Sequence, residues 1–188
     1  MTEHLIRRAG RGDARTLAEI HIQTWRETYA GIMPEEILAG LDVDKWTQTW
    51  RDAFAGADDP AFAVFLAHDL GGEPSGFLTC RRQTSQKLLP LGYDGEITHL
   101  YLLRRLHRQG VGRRLSQIAA RRLLDKGCAA AALWVLRDNP PARRFYEALG
   151  AAPTGVAGVW EIYGAVLPDI AYGWRDLRQL EACCVDAN

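Results

Sequence analysis

The chain has no excess of either charge: 23 Lys and Arg stand against 23 Asp and Glu over 188 residues. A formal net charge of zero gives no overall attraction for nucleic acid or for an anionic membrane surface. Cysteine is sparse. Cys80, Cys128, Cys183 and Cys184 show neither metal-ligand spacing nor a disulfide framework, so no metal site is expected and reduced thiols are. No apolar run approaches the roughly 20 residues of a membrane span. The first residues, Met1-Thr2-Glu3-His4-Leu5, lack the basic-then-apolar order of a signal peptide. A cytoplasmic location is therefore the expectation. Internal repeats and low-complexity tracts are absent too, which excludes solenoids and disordered arms. What is present is ordinary for one globular domain: 47% hydrophobic and 24% charged residues, in a chain long enough to bury a full core.

The apolar pattern predicts alternating strands and helices in an α+β arrangement. A short first strand falls at Leu5 to Arg8. Asp13 is placed to cap a helix that ends near Ala30, with Gly31 as its stop. Pro34 opens a short helix to about Leu41, and another runs from Asp44 to Phe54. Phe62 to His68 and Gly76 to Arg82 form a hairpin. After a polar connection come the strand Glu96–Leu102, a helix after Gly110, the strand Ala130–Leu136 and the helix Pro141–Leu149. Val159–Tyr163 and Asp169–Trp174 close the sheet.

The most informative string is His107-Arg108-Gln109-Gly110-Val111-Gly112-Arg113-Arg114-Leu115. It joins an apolar strand to an amphipathic helix. Such a turn aims unsatisfied N–H groups outward at the positive end of a helix dipole, where a phosphate fits. Gly110 and Gly112 would let a ligand approach the backbone closely. A P-loop string is lacking. A dinucleotide fingerprint would need glycine where Leu115 stands.

The turn instead resembles the acyl-CoA signature of the GNAT N-acyltransferase superfamily, Gln/Arg-x-x-Gly-x-Gly/Ala, with His107 in place of the usual Gln or Arg. Two further strings resemble the same family. Gly95-Glu96-Ile97-Thr98-His99-Leu100-Tyr101-Leu102 is like its central strand, with Arg104 or Arg105 where a proline usually follows. Leu133 to Leu136, then Asn139-Pro140-Pro141-Ala142-Arg143-Arg144-Phe145-Tyr146, is like its strand and Asn-x-x-Ala-x-x-Phe-Tyr helix. The resemblance covers about residues 5 to 178 and implies one N-acetyltransferase domain over 1–188. The implied fold is a mixed, mostly antiparallel central sheet with a splayed parallel pair, flanked by helices. The implied cosubstrate is acetyl-CoA, with no metal, and the implied reaction is acetyl transfer to a primary amine. The implied cofactor contacts are Leu102, Leu103, His107, Arg108, Gln109, Gly110, Val111, Gly112, Arg113, Arg114, Asn139 and Arg143. A backbone N–H near Tyr101 to Leu103 would be the oxyanion donor. The acceptor would be a small-molecule or peptide amine, and the resemblance allows a homodimer. Nucleic-acid and membrane partners are not expected.

Acyl transfer needs an acid for the departing thiolate and an acceptor for the amine's proton. Tyr146 is the candidate acid, since a phenol is protonated at neutral pH. Packing the helix on the sheet is its competing role. Glu96 is the candidate base and His99 its rival. Their odd separation along the strand predicts opposite faces, so that one of them points away from the acceptor. Cys80 and Cys128 read as core residues rather than nucleophiles. Trp25 and Tyr29 share a helix face and are candidates for the acceptor pocket or for the core. Trp46 and Trp50 pose the same choice. A non-catalytic acyl-CoA-binding or sensing module of the same fold is the alternative function.

Overall fold

A computed structural model describes residues 4–182, so Cys183 and Cys184 lie outside the described residues. Seven strands form one sheet: β1 (Ile6–Arg8), β2 (Ala63–His68), β3 (Pro74–Arg82), β4 (Gly95–Leu102), β5 (Ala131–Leu136), β6 (Ala152–Ile162) and β7 (Ala165–Trp174). Their spatial order is β1-β2-β3-β4-β5-β7-β6. Every neighbouring pair is antiparallel except β4 and β5. The helices are α1 (Ala14–Tyr29), α2 (Glu35–Ala39), α3 (Val43–Ala55), α4 (Val111–Asp125), α5 (Pro140–Ala148) and α6 (Leu177–Glu181). The expected mixed sheet with one parallel pair is the sheet observed.

The helices divide between the two faces. α4 buries Val111, Leu115, Ala119 and Leu123 against Leu78, Cys80, Ile97 and Leu133 of the sheet. These α4 positions recur every three or four residues, the spacing of one helix face. α1 buries Leu17, Ala18 and Ile20, and α3 buries Trp50, against Val64, Leu66 and Phe77 on the opposite face. Two layers of helix thus sandwich the sheet, and each face owns a separate apolar cluster.

Several boundaries differ from the sequence reading, three of them for a visible local reason. Asp13 does not cap α1 with its side chain; its carboxylate accepts from Gly10 N at 2.9 Å and from Arg7. A single 3-10 turn, Arg11–Asp13, intervenes and takes that carboxylate first. α3 starts at Val43 because Asp42, not Asp44, accepts from the amides of residues 44 and 45. The last hairpin is longer than expected. Gly155, with φ +83°, and a register shift between Pro153 and Ala157 interrupt the alternation that marks a strand. Tyr163 and Gly164, both at positive φ, close that hairpin as a tight two-residue turn.

Two irregularities shape the centre of the sheet. β4 and β5 pair only at Gly95 with Ala131 and at Glu96 with Ala132. Beyond that point the parallel strands part. On its other edge β4 carries a bulge: Cys80 pairs with Ile97 and Thr79 with His99, which leaves Thr98 without an opposite residue.

Candidate active site

The parting of β4 and β5 opens a cleft of about 1590 Å³ that runs from the turn before α4 to the aromatic side of α1. The turn forms one end. Gly110 sits at φ +75° and Arg108 at φ +60°, so the chain reverses sharply into α4. Arg114 N is the first amide of the helix to reach a backbone carbonyl, that of Gly110, at 3.0 Å. The amides of Val111, Gly112 and Arg113 have no acceptor among the described residues. They lie at the positive end of a 15-residue helix, where an anion is stabilised.

His107 ties this turn to the central strand. Its Nε2 donates to the Leu102 carbonyl at 2.9 Å. Gly112 has a packing reason to be glycine as well. A Cβ there would lie 3.0 Å from Phe145 Cζ and 3.2 Å from Leu102 Cδ1.

The structure brings most of the expected cofactor residues to the cleft: Leu102, His107, Arg108, Gly110, Val111, Gly112, Arg113 and Asn139 line it. Four side chains are placed elsewhere. Leu103 is buried, and its N–H donates to Ser75 O at 2.9 Å. Gln109 turns back to the Arg105 carbonyl. Arg114 reaches the His4 carbonyl. Arg143 donates to the Tyr172 hydroxyl and the Arg137 carbonyl. Arg144, which the sequence reading passed over, lines the cleft in its stead. Its signal was the spacing 141, 144, 145, 148 along one face of α5. Asn139 caps α5, accepting from Ala142 N at 3.2 Å. Because Leu103 N–H points to β3, the alternation of an antiparallel ladder turns Leu102 N–H toward the open edge. Of the N–H groups of Tyr101, Leu102 and Leu103, that of Leu102 is the one the ladder turns to the cleft side.

Tyr146 lines the cleft. Its ring packs edge-on to Phe145 and Trp174, with centroids 5.3 and 6.3 Å away. It thus fills the packing role, yet its hydroxyl has no hydrogen-bond partner among the described residues. Burial pushes the phenol above its ordinary range, so it is protonated at neutral pH.

The aromatic half of the cleft holds a correction. Glu96 and His99 share one face of β4, although three residues separate them. The extra residue at Thr98 reverses the alternation: Ile97 faces α4, Glu96 sits opposite Arg81, and His99 sits opposite Thr79 with Phe77 beside it. Neither points away. Glu96 is buried and pairs with Arg81 Nε at 2.8 Å. Burial, with the Arg81 guanidinium nearby, pushes the His99 imidazole down to about 4. Trp25 is almost wholly buried and still edges the cleft, packing at 5.2 to 5.8 Å on Trp160, Trp46 and Tyr29. Burial pushes the Tyr29 phenol up to about 12. Trp46 lines the cleft and Trp50 belongs to the core, so the two tryptophans of α3 divide between the roles. His21, Tyr101, Trp134, Trp160 and Asp169 also line this half. The alternation of β6 and the 21/25 helical spacing were the signals available for Trp160 and His21.

Among the described residues no group of three or more His, Cys, Asp or Glu is arranged to hold a metal ion. None of their helices is long and apolar enough to cross a membrane.

The site is thus framed by a sheet that splays beside a helix N-terminus with unsatisfied amides. The profile of the Acetyltransferase (GNAT) family matches residues 17–151, and the chain belongs to that family. It is 33% identical over 177 residues to YuaI, an uncharacterized N-acetyltransferase of Bacillus subtilis (strain 168), covering 94% of this chain and 95% of YuaI. Among solved structures it is similar to the PaiA N-acetyltransferase of Thermoplasma acidophilum in complex with coenzyme A. The TM-score is 0.65 at 21% identity, with 89% of this chain and 98% of that one covered. It is likewise similar to YncA of Salmonella typhimurium, a putative acetyltransferase solved with its cofactor acetyl-CoA. There the TM-score is 0.65 at 16% identity over 93% and 94% of the two chains. At these identities the structural likeness speaks to the fold.

Proposed function

We propose that this chain transfers an acetyl group from acetyl-CoA to a primary amine, by direct attack within a ternary complex. One observation carries the reading: a single cleft joins the unsatisfied amides of α4, the freed edge of β4 and the unpartnered hydroxyl of Tyr146. The α4 amides, with Arg108, Arg113 and Arg144 near them, would hold the pyrophosphate. The open edges of β4 and β5 offer backbone donors and acceptors to the pantetheine arm. Leu102 N–H would stabilise the oxyanion, and Tyr146 would protonate the departing sulfur. Glu96 and His99, on one face, are the two groups able to take the amine's proton. The aromatic half of the cleft would receive the acceptor, a small molecule or peptide.

Cysteine chemistry finds no support. Burial pushes the Cys80 thiol up to about 12 and raises Cys128 as well, and neither lines the cleft. The test is thiol release from acetyl-CoA across a panel of alkylamines, amino acids, aminoglycosides and peptides. Amine-dependent release with an N-acetyl product is expected. Coenzyme A binding without release for any amine would instead support an acyl-CoA-binding module.

A further inference from the structure

Thr98 is the residue that β4 inserts without a partner on β3. A bulge of this kind turns consecutive side chains to one side, so Thr98 and His99 can touch. Thr98 Oγ1 lies 3.0 Å from His99 Nδ1. The same hydroxyl lies 3.4 Å from the Thr79 carbonyl. The hydroxyl has one proton, and both contacts are hydrogen bonds only when that proton goes to the Thr79 carbonyl and the hydroxyl accepts from His99 Nδ1–H. A neutral imidazole carries one ring proton. His99 Nε2 is then a bare lone pair, without a hydrogen-bond partner among the described residues, on a ring that lines the cleft.

The surroundings favour the neutral ring. His21 of α1 faces it with ring centroids 5.7 Å apart, and burial keeps that imidazole from charging too. Arg81 of β3 adds positive potential. Glu96 and Tyr101 flank it on β4, while α3 presents only the indole of Trp50, at 5.4 Å. Glu96 is less available. Its carboxylate already accepts from Arg81 Nε at 2.8 Å, a charge-assisted bond that a proton would weaken.

The geometry points to His99 Nε2 as the group that takes the proton from the attacking amine, with Thr98 as the positioning residue that fixes its tautomer. This rests on the acetyltransferase reading. The amine lone pair forms the N–C bond at the thioester carbonyl, and the C–S bond breaks with its electron pair leaving on sulfur. One amine proton passes to His99 Nε2, and the Tyr146 O–H proton passes to the sulfur. The imidazolium proton then returns through solvent to the Tyr146 oxygen, so both groups end neutral and no net proton is gained or lost.

The test uses the full chain saturated with coenzyme A and ¹⁵N-labelled at histidine. The nitrogen shifts of His99 should report a protonated Nδ1 and a bare Nε2. His99→Gln should lower kcat on the order of 10²–10⁴-fold on any panel amine that the wild type acetylates, with KM for acetyl-CoA little changed. Thr98→Val keeps the ring but frees the tautomer. It should mix the two nitrogen signals and lower kcat on the order of tenfold or more, and Thr98→Ser should restore both. Should His99→Gln fail to fold, Thr98→Val carries the test. A protonated Nε2 in the wild type would overturn the assignment, as would wild-type kcat in His99→Gln or Thr98→Val when chemistry is rate-limiting. Failure of the acetyltransferase reading looks different: the wild type binds coenzyme A and releases no thiol with any amine.

Discussion

Gly112 answers to two requirements at once. Absence of a Cβ admits Phe145 and Leu102 at contact distance, and on the proposed reading it would also let a pyrophosphate approach the α4 amides. Gly112→Ala should therefore cost stability, roughly 1–3 kcal/mol by overpacking, in addition to any loss of coenzyme A affinity. Thermal melting checks this, and an unchanged Tm would contradict it. Tyr146→Phe removes only a hydroxyl that makes no protein hydrogen bond. Turnover should fall on the order of 10²–10⁴-fold while coenzyme A affinity by calorimetry stays level, because ground-state binding does not sense a thiolate that has not formed. Full turnover in that variant would return Tyr146 to packing alone. His99 makes stability depend on pH. Its folded-state value, about 4, lies below the ordinary 6.5, so the unfolded chain binds more protons between those values. Stability should be fully present above about pH 6.5 and decline as pH falls toward 4. The contribution is on the order of 1–3 kcal/mol, and His99→Gln should flatten that slope in denaturant titrations.

At the scale of elements, α5 separates two adjacent arginines that look alike in the sequence. Arg143 turns to Tyr172, and Arg144 turns to the cleft. Arg144→Ala should weaken coenzyme A by about 1 kcal/mol, roughly fivefold, with the difference shrinking as salt rises. Arg143→Ala should leave affinity unchanged. The reverse ranking in a titration would contradict the placement. The same elements show what a sequence can and cannot convey. The strands at 96–102 and 130–136, and the helices that follow them, were legible because apolar periodicity and the glycine turn agree. The joint placement of Glu96 and His99 was not legible. It depends on a bulge created by pairing with β3, and nothing within residues 95–102 marks which residue goes unpaired. The choice between Arg143 and Arg144 turned on where α5 begins, and one residue there is a rotation of 100°.

For the whole molecule, the sheet's break between β4 and β5 is the feature from which the function follows. α4 and α5 pack on one face and α1 and α3 on the other, so the break opens between an anion-binding turn and an aromatic pocket. On the proposed reading, an acyl donor and an amine would meet there from opposite sides of one sheet. The fold class was readable from three motifs in order, whereas the aromatic half of the cleft draws on α1, α3, β4 and β6 and emerges only when they assemble. The proposed direct attack requires both reactants in the cleft at once. Initial rates of thiol release, with acetyl-CoA and an amine substrate both varied, test this most directly. The account predicts no release without amine and reciprocal plots that intersect, as a ternary complex requires. Parallel plots, with an acetylated protein detected by mass before amine is added, would contradict it.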